Sequence, residues 1–358
     1  MGAFIYFRKN KKKAILISLV IALAAFCIYF ITTLVGSVYA TAFDAGVVPF
    51  SKFSVAVYKG KAEDGGISQI ENLADIDKYY QVGVSSMQIS TVMGTTSSYV
   101  ILTDQTGELK EILDRCGITS DVEVNDLREN DLILHQDLLT NKKKKIGDKL
   151  EELRITGVYK GDVKEAFGLV SEEDFFTIGG PQSYLIFPKE GRMTDLNQEL
   201  SNFDQGEWTI QSYDSALSNL DKDFSTINLI LTIVVIMVSI CIAIALAALV
   251  YTMYSHRYEE FAILNAMGYR KGQISKMIFV EIIMISTIAT ATGYALSLIA
   301  LTLVNHFVYS GMGQTMQIFS IRNSLYTLIL PLLVTVCALV SILQKLNGTD
   351  LISIIERR

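Results

Sequence analysis

The residues of this chain best placed to do chemistry lie in one segment, HRYEEFAILNAMGYRKGQISKMIFVE, from His256 to Glu281. Two acids, Glu259 and Glu260, precede Phe261, Leu264 and Met267, and Gly268 then separates them from the basic pair Arg270 and Lys271. Apolar residues at i, i+3 and i+6 predict a short helix with Phe261, Leu264 and Met267 toward one side and Glu259, Glu260 and Asn265 elsewhere. From Gln273 a second helix runs into an apolar stretch where Glu281 is the lone charged residue. Such a set recognises surfaces and does not make bonds. A short amphipathic helix either lies on lipid or docks in a groove of a soluble partner. An ionisable residue inside an apolar span is a functional hypothesis by default. Glu281, about one turn in, either reaches headgroups, Arg257 or Lys276 at the interface or makes a structural contact to the loop helix.

Bond-making chemistry has no comparable support. The sequence has no Gly-x-Ser-x-Gly, no His-Glu-x-x-His and no Gly-x-x-x-x-Gly-Lys-Ser/Thr phosphate loop. Its three histidines, His135, His256 and His306, are far apart, and no Cys-x-x-Cys or Cys/His spacing suggests zinc. Asp104, Glu172, Glu173 and Asp174 read as surface or helix-cap residues. Phe175-Phe176 and Tyr79-Tyr80 suit either exposed contacts or core. The expectation is therefore no catalytic, metal or cofactor site in this chain.

The elements that position the segment are four long apolar runs, 14–38, 227–251, 277–304 and 325–343. About 20 helical residues cross a bilayer core of about 30 Å, so each run is long enough to span. The first has a basic n-region, but a secretory h-region is about 7–15 residues, so a retained anchor is expected. Arg8, Lys9, Lys11, Lys12 and Lys13 hold residues 1–13 in the cytoplasm by the positive-inside rule. Residues 39–226 then lie outside. The loop 252–276, with Arg257, Arg270, Lys271 and Lys276, lies inside. The loop 305–324 is outside, and the tail 344–358, with Lys345, Arg357 and Arg358, is inside.

Charge follows the same division. Residues 39–226 carry 32 Asp+Glu against 18 Lys+Arg, whereas the rest carries 5 against 13. No basic stripe suits nucleic acid. Lys142 to Lys145 read as a solvated turn, and the N-terminal cluster anchors a span. Of four cysteines, Cys116 alone lies in the insert, so no disulfide forms within it. The insert alternates signals: strands at 84–92, 98–103, 132–134, 153–159, 182–187 and 207–211, with helices at 107–116, to Leu139, and 194–202. That is an α+β pattern, in one or two lobes, large enough for its own core. The predicted fold class is an integral membrane α-helical protein with four transmembrane helices and a large extracytoplasmic α+β domain between the first and second. Gly293 among Ala289, Ala291 and Ala295 is a candidate packing seam with another helix or subunit. Pro331 removes a backbone donor in the fourth run.

The loop segment resembles the FtsX/MacB-type permease family. The resemblance is carried by Glu260, Ile263-Leu264, Ala266-Met267-Gly268, Arg270-Lys271, Gln273-Ile274 and Glu281, and by Gly293 in the third span. Lys145-Ile146-Gly147-Asp148 with Ile155-Thr156-Gly157-Val158-Tyr159 echoes the family's outer domain, and GTDLISIIERR loosely resembles its ending. The resemblance implies the transmembrane subunit of an ABC transporter, itself no enzyme. A cytoplasmic ABC ATPase dimer holding ATP-Mg would bind in trans. The other expected partners are a second permease, identical or homologous, the lipid bilayer, and an extracytoplasmic protein or peptide substrate. Glu259 to Gly268 would be the coupling helix, with Phe261, Leu264 and Met267 as apolar contacts and Arg257, Arg270 and Lys271 as polar ones. Asn265 departs from the family, where a basic residue is common. The implied use is export or extrusion of a peptide, antibiotic or lipid-linked molecule. Activation of a cell-wall hydrolase, lipoprotein release, and a sensor or scaffold without an ATPase stay open beside it.

Overall fold

The computed structural model describes residues 11–60, 66–92, 94–255 and 257–348. The basic residues Arg8 and Lys9, His256, and the tail from Thr349 with Arg357 and Arg358 lie outside the described residues. The chain divides into two compact units, one of residues 1–36, 227–304 and 317–358, the other of 37–226 and 305–316.

The first helix, α1 (Lys11–Gly46), precedes a one-turn 3-10 helix, Val48–Ser51. The outer unit then runs β1 (Ser54–Tyr58), α2 (Ile67–Glu71), β2 (Ile76–Gln81), β3 (Gly83–Thr91), β4 (Gly94–Thr103) and α3 (Thr106–Arg115). It continues with β5 (Thr119–Ser120), β6 (Asp131–His135), α4 (Gln136–Asn141), β7 (Lys149–Leu150), β8 (Leu153–Lys160) and β9 (Ala166–Leu169). It closes with α5 (Glu172–Thr177), β10 (Ser183–Pro188), α6 (Met193–Ser201) and β11 (Trp208–Gln211). After it come α7 (Tyr213–Ser255), α8 (Tyr258–Ala266), α9 (Lys271–Val304) and α10 (Ile321–Gly348). Among the described residues four helices, α1, α7, α9 and α10, are long and apolar enough to cross a membrane, at Ile15–Gly46, Tyr213–Thr252, within Lys271–Met312 and at Ile321–Val340. The chain is a multi-pass membrane protein with an α+β domain between its first and second spans.

The outer unit holds two sheets. One is antiparallel in the order β11-β1-β10-β2; the other runs β3-β4-β9-β6-β8-β5, with β7 paired to β8. In the second, β4 and β9 are parallel, as are β6 and β8. Side chains alternate across each strand. Ile101 and Ile133 face a core shared with Leu185 and Phe187 of the first sheet and with Leu109, Ile112 and Leu113 of α3. Leu102, Leu132 and Leu134 face the opposite way with Ile155 and Leu138. Tyr184 and Ile186 pack with Leu196, Leu200 and Trp208 on the far side of the first sheet. Sheets buried on both faces read as short apolar runs and not as alternation. β1 (SVAVY) and β9 (AFGL), both almost wholly buried, were not among the strands expected from the sequence.

The connection between α9 and α10 belongs to this outer unit through residues 305–316. It starts with a turn of π-helix, Asn305–Tyr309. The Asn141 amide donates to the Ser90 carbonyl at 2.8 Å and to the Met312 carbonyl at 3.0 Å, while its oxygen accepts the Ser90 N–H. Gln314 donates to the same Ser90 carbonyl at 2.6 Å. Gly313 has φ +64°, and a Cβ there would meet the Asp137 carbonyl at 2.2 Å, so only glycine fits.

Glu165, just before β9, is fully buried. One carboxylate oxygen accepts from the Ser98 hydroxyl at 2.6 Å and from the Tyr99 N–H; the other has no partner. Burial pushes this carboxyl well above the usual range, and the two hydrogen bonds only partly oppose it. The folded unit therefore keeps a proton that the unfolded chain gives up above about pH 4.3. Its contribution to stability is whole below that pH and falls as pH rises toward the folded value. Glu165→Gln keeps the acceptor and removes the titration. Its melting temperature in detergent is expected to exceed that of the parent at pH 8 and to match it at pH 4. A constant difference across that range would show that Glu165 ionisation does not govern stability.

Candidate functional site

The segment between α7 and α9 folds as a short helix clipped to the membrane-spanning bundle. Gly268 ends α8 in the left-handed region, φ +96°, with its N–H on the Asn265 carbonyl at 3.0 Å and the Tyr269 N–H on the Leu264 carbonyl at 3.1 Å. Gln273 then reaches back and accepts the Arg270 N–H at 2.9 Å, capping the start of α9. The sequence therefore writes both boundaries of the turn, a glycine stop and a glutamine cap five residues on.

The clip is an ion pair. Arg257 Nη1 lies 2.9 Å from Glu281 Oε2, with side-chain exposures of 8% and 2%. Arg257 Nε also donates to Glu260 at 3.1 Å, and its guanidinium lies 5.2 Å from the centre of the Phe261 ring. The second oxygen of Glu281 has no partner. Of the interfacial partners expected for Glu281, the structure selects Arg257, which lies just ahead of α8.

Phe261 takes a different place from the expected one. It is fully buried, packed in a cluster with Val250, Ile274, Ile278 and Ile282. Leu264 is half-buried against the same cluster. Met267 is 63% exposed, and so are Ile263 and Tyr269, at 54% and 50%. Glu259, Glu260, Gly268 and Arg270 are also exposed, and Lys271 is half-buried. The outward apolar edge is thus Ile263, Met267 and Tyr269, and Phe261 holds α8 to the bundle from within. Sequence reasoning did not assign Ile263 or Tyr269 to this edge.

Gly293 packs against α1. A Cβ there would lie 2.1 Å from the Ala22 carbonyl oxygen and 3.0 Å from the Ala22 Cα. Next to this approach the Tyr29 and Tyr294 rings meet edge-on at 4.6 Å, and the Tyr29 hydroxyl donates to the Ile318 carbonyl at 3.0 Å. Asn323 of α10 donates to Thr33 of α1 at 3.2 Å. Close backbones and buried polar bridges are what holds helices together where lipid supplies no hydrophobic drive.

The polar and aromatic residues singled out in the outer unit take structural places. Ser171 caps α5, accepting the Asp174 N–H at 3.2 Å and donating to its carboxylate at 2.8 Å. Tyr80 and Phe175 are core, and Phe176 is exposed. Burial pushes the Cys116 thiol up to about 12, so it offers no thiolate near neutrality. Among the described residues no group of three or more His, Cys, Asp or Glu side chains is placed to hold a metal.

Residues 226–351 match the sequence family described as FtsX-like permease C-terminal. Among solved structures, the periplasmic region of MacB from Actinobacillus actinomycetemcomitans is 13% identical with a TM-score of 0.27, covering 50% of this chain and 94% of that one. The extracellular domain of the noncanonic ABC-type transporter YknZ from Gram-positive bacteria is 12% identical with a TM-score of 0.27, covering 45% and 100%. A domain of a putative permease protein from Porphyromonas gingivalis is 10% identical with a TM-score of 0.24, covering 45% and 88%. No curated protein matches the chain in sequence.

Proposed function

We propose that this chain, whose residues 226–351 match the family described as FtsX-like permease C-terminal, is the membrane subunit of an ABC transporter and takes its motion from a separate cytoplasmic ATPase docked on α8. Permeases of this kind are non-catalytic transport subunits, so ATP-Mg is bound and hydrolysed in the partner. The observation that carries the reading is the exposed edge Ile263, Met267 and Tyr269, flanked by Glu259 and Arg270 and lying inside the matched region. Such an edge fits a groove on a soluble protein, with apolar anchors at its centre and charges at its rim.

The ATPase works as a dimer beneath two permeases, this chain and an identical or homologous one. The N-terminus, the α8 turn and the tail are cytoplasmic. Closure of the ATPase pushes α8. The Arg257–Glu281 pair passes that push into α9, and α7, one helix of 43 residues, carries it about 65 Å along its length. The moving outer domains serve export or extrusion of a peptide, antibiotic or lipid-linked molecule.

Replacing Ile263 and Met267 together by Asp is expected to abolish co-purification with a nucleotide-binding protein and the stimulated ATP hydrolysis, with the melting temperature unchanged. Phe261→Asp, by contrast, is expected to lower the melting temperature, since it buries a carboxylate in the bundle. Full ATPase association by the Ile263→Asp, Met267→Asp variant would remove α8 as the docking element.

A further inference from the structure

Among the described residues the two sheets of the outer unit end in four edge strands, β11 and β2 in one and β3 and β5 in the other. Open edges recruit foreign strands, and natural sheets blunt them with short strands, charges, prolines or bulges. β11 has four residues and β5 has two. β2 carries Asp77 and Lys78, and its register with β10 shifts at Pro188. β3 has nine residues, pairs with β4 in unbroken register and holds neither a charge nor a proline. The uncharged stretch runs from Val82 to Thr103, in a domain of 32 Asp+Glu and 18 Lys+Arg. We infer that this edge pairs with the same edge of a second copy of the chain, joining two outer units through one continuous sheet.

The register shows which backbone groups are open. In an antiparallel pair every second residue turns its N–H and C=O away from the neighbouring strand. Ser90, opposite Thr95, is of this kind, because its N–H and its carbonyl both go to the Asn141 side chain. Tyr99, opposite Ser86, is too, since its N–H goes to Glu165 on the far side of β4. Val84, Ser86 and Gln88 follow by alternation. Among the described residues nothing bonds their outward groups. The open run is closed at each end. The Val82 N–H bonds the Ser183 carbonyl at 2.9 Å, and Ser90 is held by Asn141 and Gln314.

Three open rungs centred on Ser86 are what a two-fold pairing needs. Turned about an axis at Ser86, Val84 meets the partner's Gln88, Ser86 meets the partner's Ser86, and Gln88 meets the partner's Val84. Each rung makes two backbone hydrogen bonds. Ser86 and Gln88 are exposed and Val84 is half-buried. Charge selects the occupant. Two strongly acidic domains repel each other, so they meet best through a contact that carries no charge. A basic partner would find its complement elsewhere on the domain. The inference rests on the reading of two permeases above one ATPase dimer, and it makes the two permeases identical and β3 their outer contact.

The test uses the full-length chain in membranes, with Cys27, Cys116, Cys241 and Cys337 replaced by Ala. Across a hydrogen-bonded rung the Cα atoms lie about 5.5 Å apart, within the span of a disulfide. Ser86→Cys is therefore expected to give a disulfide-linked dimer on oxidation with copper phenanthroline. Ser97→Cys, exposed on β4, lies one strand further from the axis in each copy, about 14 Å or more from its mate, and should give none. Gln88→Pro removes one outward N–H and leaves the β3–β4 bonds in place. Added to Ser86→Cys, it should abolish the link at an unchanged melting temperature. If that variant unfolds, the contrast between Ser86→Cys and Ser97→Cys decides. Equal linking at the two positions would overturn the inference, as would a link that survives Gln88→Pro. An unlinked Ser86→Cys thiol overturns it as well: open labelling by a maleimide marks a bare edge, and shielding marks a strand from a different chain. Co-purification of the ATPase is scored on the same membranes, so a missing link with the ATPase still bound refutes this contact and leaves docking on α8 standing.

Discussion

Arg257→Ala is expected to cost about 3–5 kcal/mol of stability and to uncouple the subunit from ATP hydrolysis. The substitution leaves the Glu281 carboxylate, already short of a partner for one oxygen, uncompensated in the apolar bundle. It also frees Glu260 and removes the guanidinium from the Phe261 ring. Glu281→Ala should cost a similar amount, because it strands Arg257 in turn. The informative variant is the double replacement Arg257→Met, Glu281→Leu. Apolar residues of comparable volume in place of a buried pair are often neutral or stabilising. Its melting temperature in detergent should return to that of the parent or exceed it. If the pair is there to make α8 and α9 move together, stimulated ATP hydrolysis stays low even so. Recovery of both quantities would mean that packing alone holds α8 in place.

Gly293→Val is the second large effect. The new Cβ would fall within 2.1–3.0 Å of the carbonyl oxygen, carbonyl carbon and Cα of Ala22. These are backbone atoms, and no rotamer moves them aside. Helices α1 and α9 would have to separate, at a cost of about 1–3 kcal/mol or more for an overpacked contact. The separation would also disturb the Tyr29–Tyr294 contact nearby. Gly293→Ala should show most of the loss, since the clash begins at Cβ. Adding Ala22→Gly should not restore the melting temperature, because it removes a methyl group and leaves the carbonyl where it was. A rescue by Ala22→Gly would place the tight contact on the side chain and refute this geometry.

The membrane-spanning part was legible because it depends on one quantity, apolar length against bilayer thickness. The turn between the second and third spans was legible at its boundaries, where Gly268 and Gln273 act locally. Its faces were less so. Phe261, Leu264 and Met267 at steps of three suggest one stripe, but three residues turn an α-helix by about 300°, so each lags the last by about 60°. By Met267 the lag is about 120°, which is why the first of the three is buried, the second half-buried and the third exposed. Arg257 and Glu281 are 24 residues apart. The sequence marked the lone acid and named Arg257 among its candidate partners, but only the fold selects between arginine, Lys276 and headgroups. The strand β9 escaped because four residues with Gly168 among them make too short a run to identify. The role of Gly313 had no sequence signal, since the Asp137 carbonyl it admits comes from far earlier in the chain.

The clasp of Asn141 and Gln314 on Ser90 has a consequence for how the protein is made. Ser90 and Gln314 are 224 residues apart, so the ribosome needs on the order of 10–50 s after Ser90 to deliver its last partner. The exported domain can assemble both sheets during that interval, but it stays unfastened until the third helix has been threaded into the bilayer. Completion of the exterior is therefore tied to insertion of the late helices, and a nascent chain arrested before Met312 would hold Ser90 by Asn141 alone, with the Met312 and Gln314 bonds of the clasp still unmade.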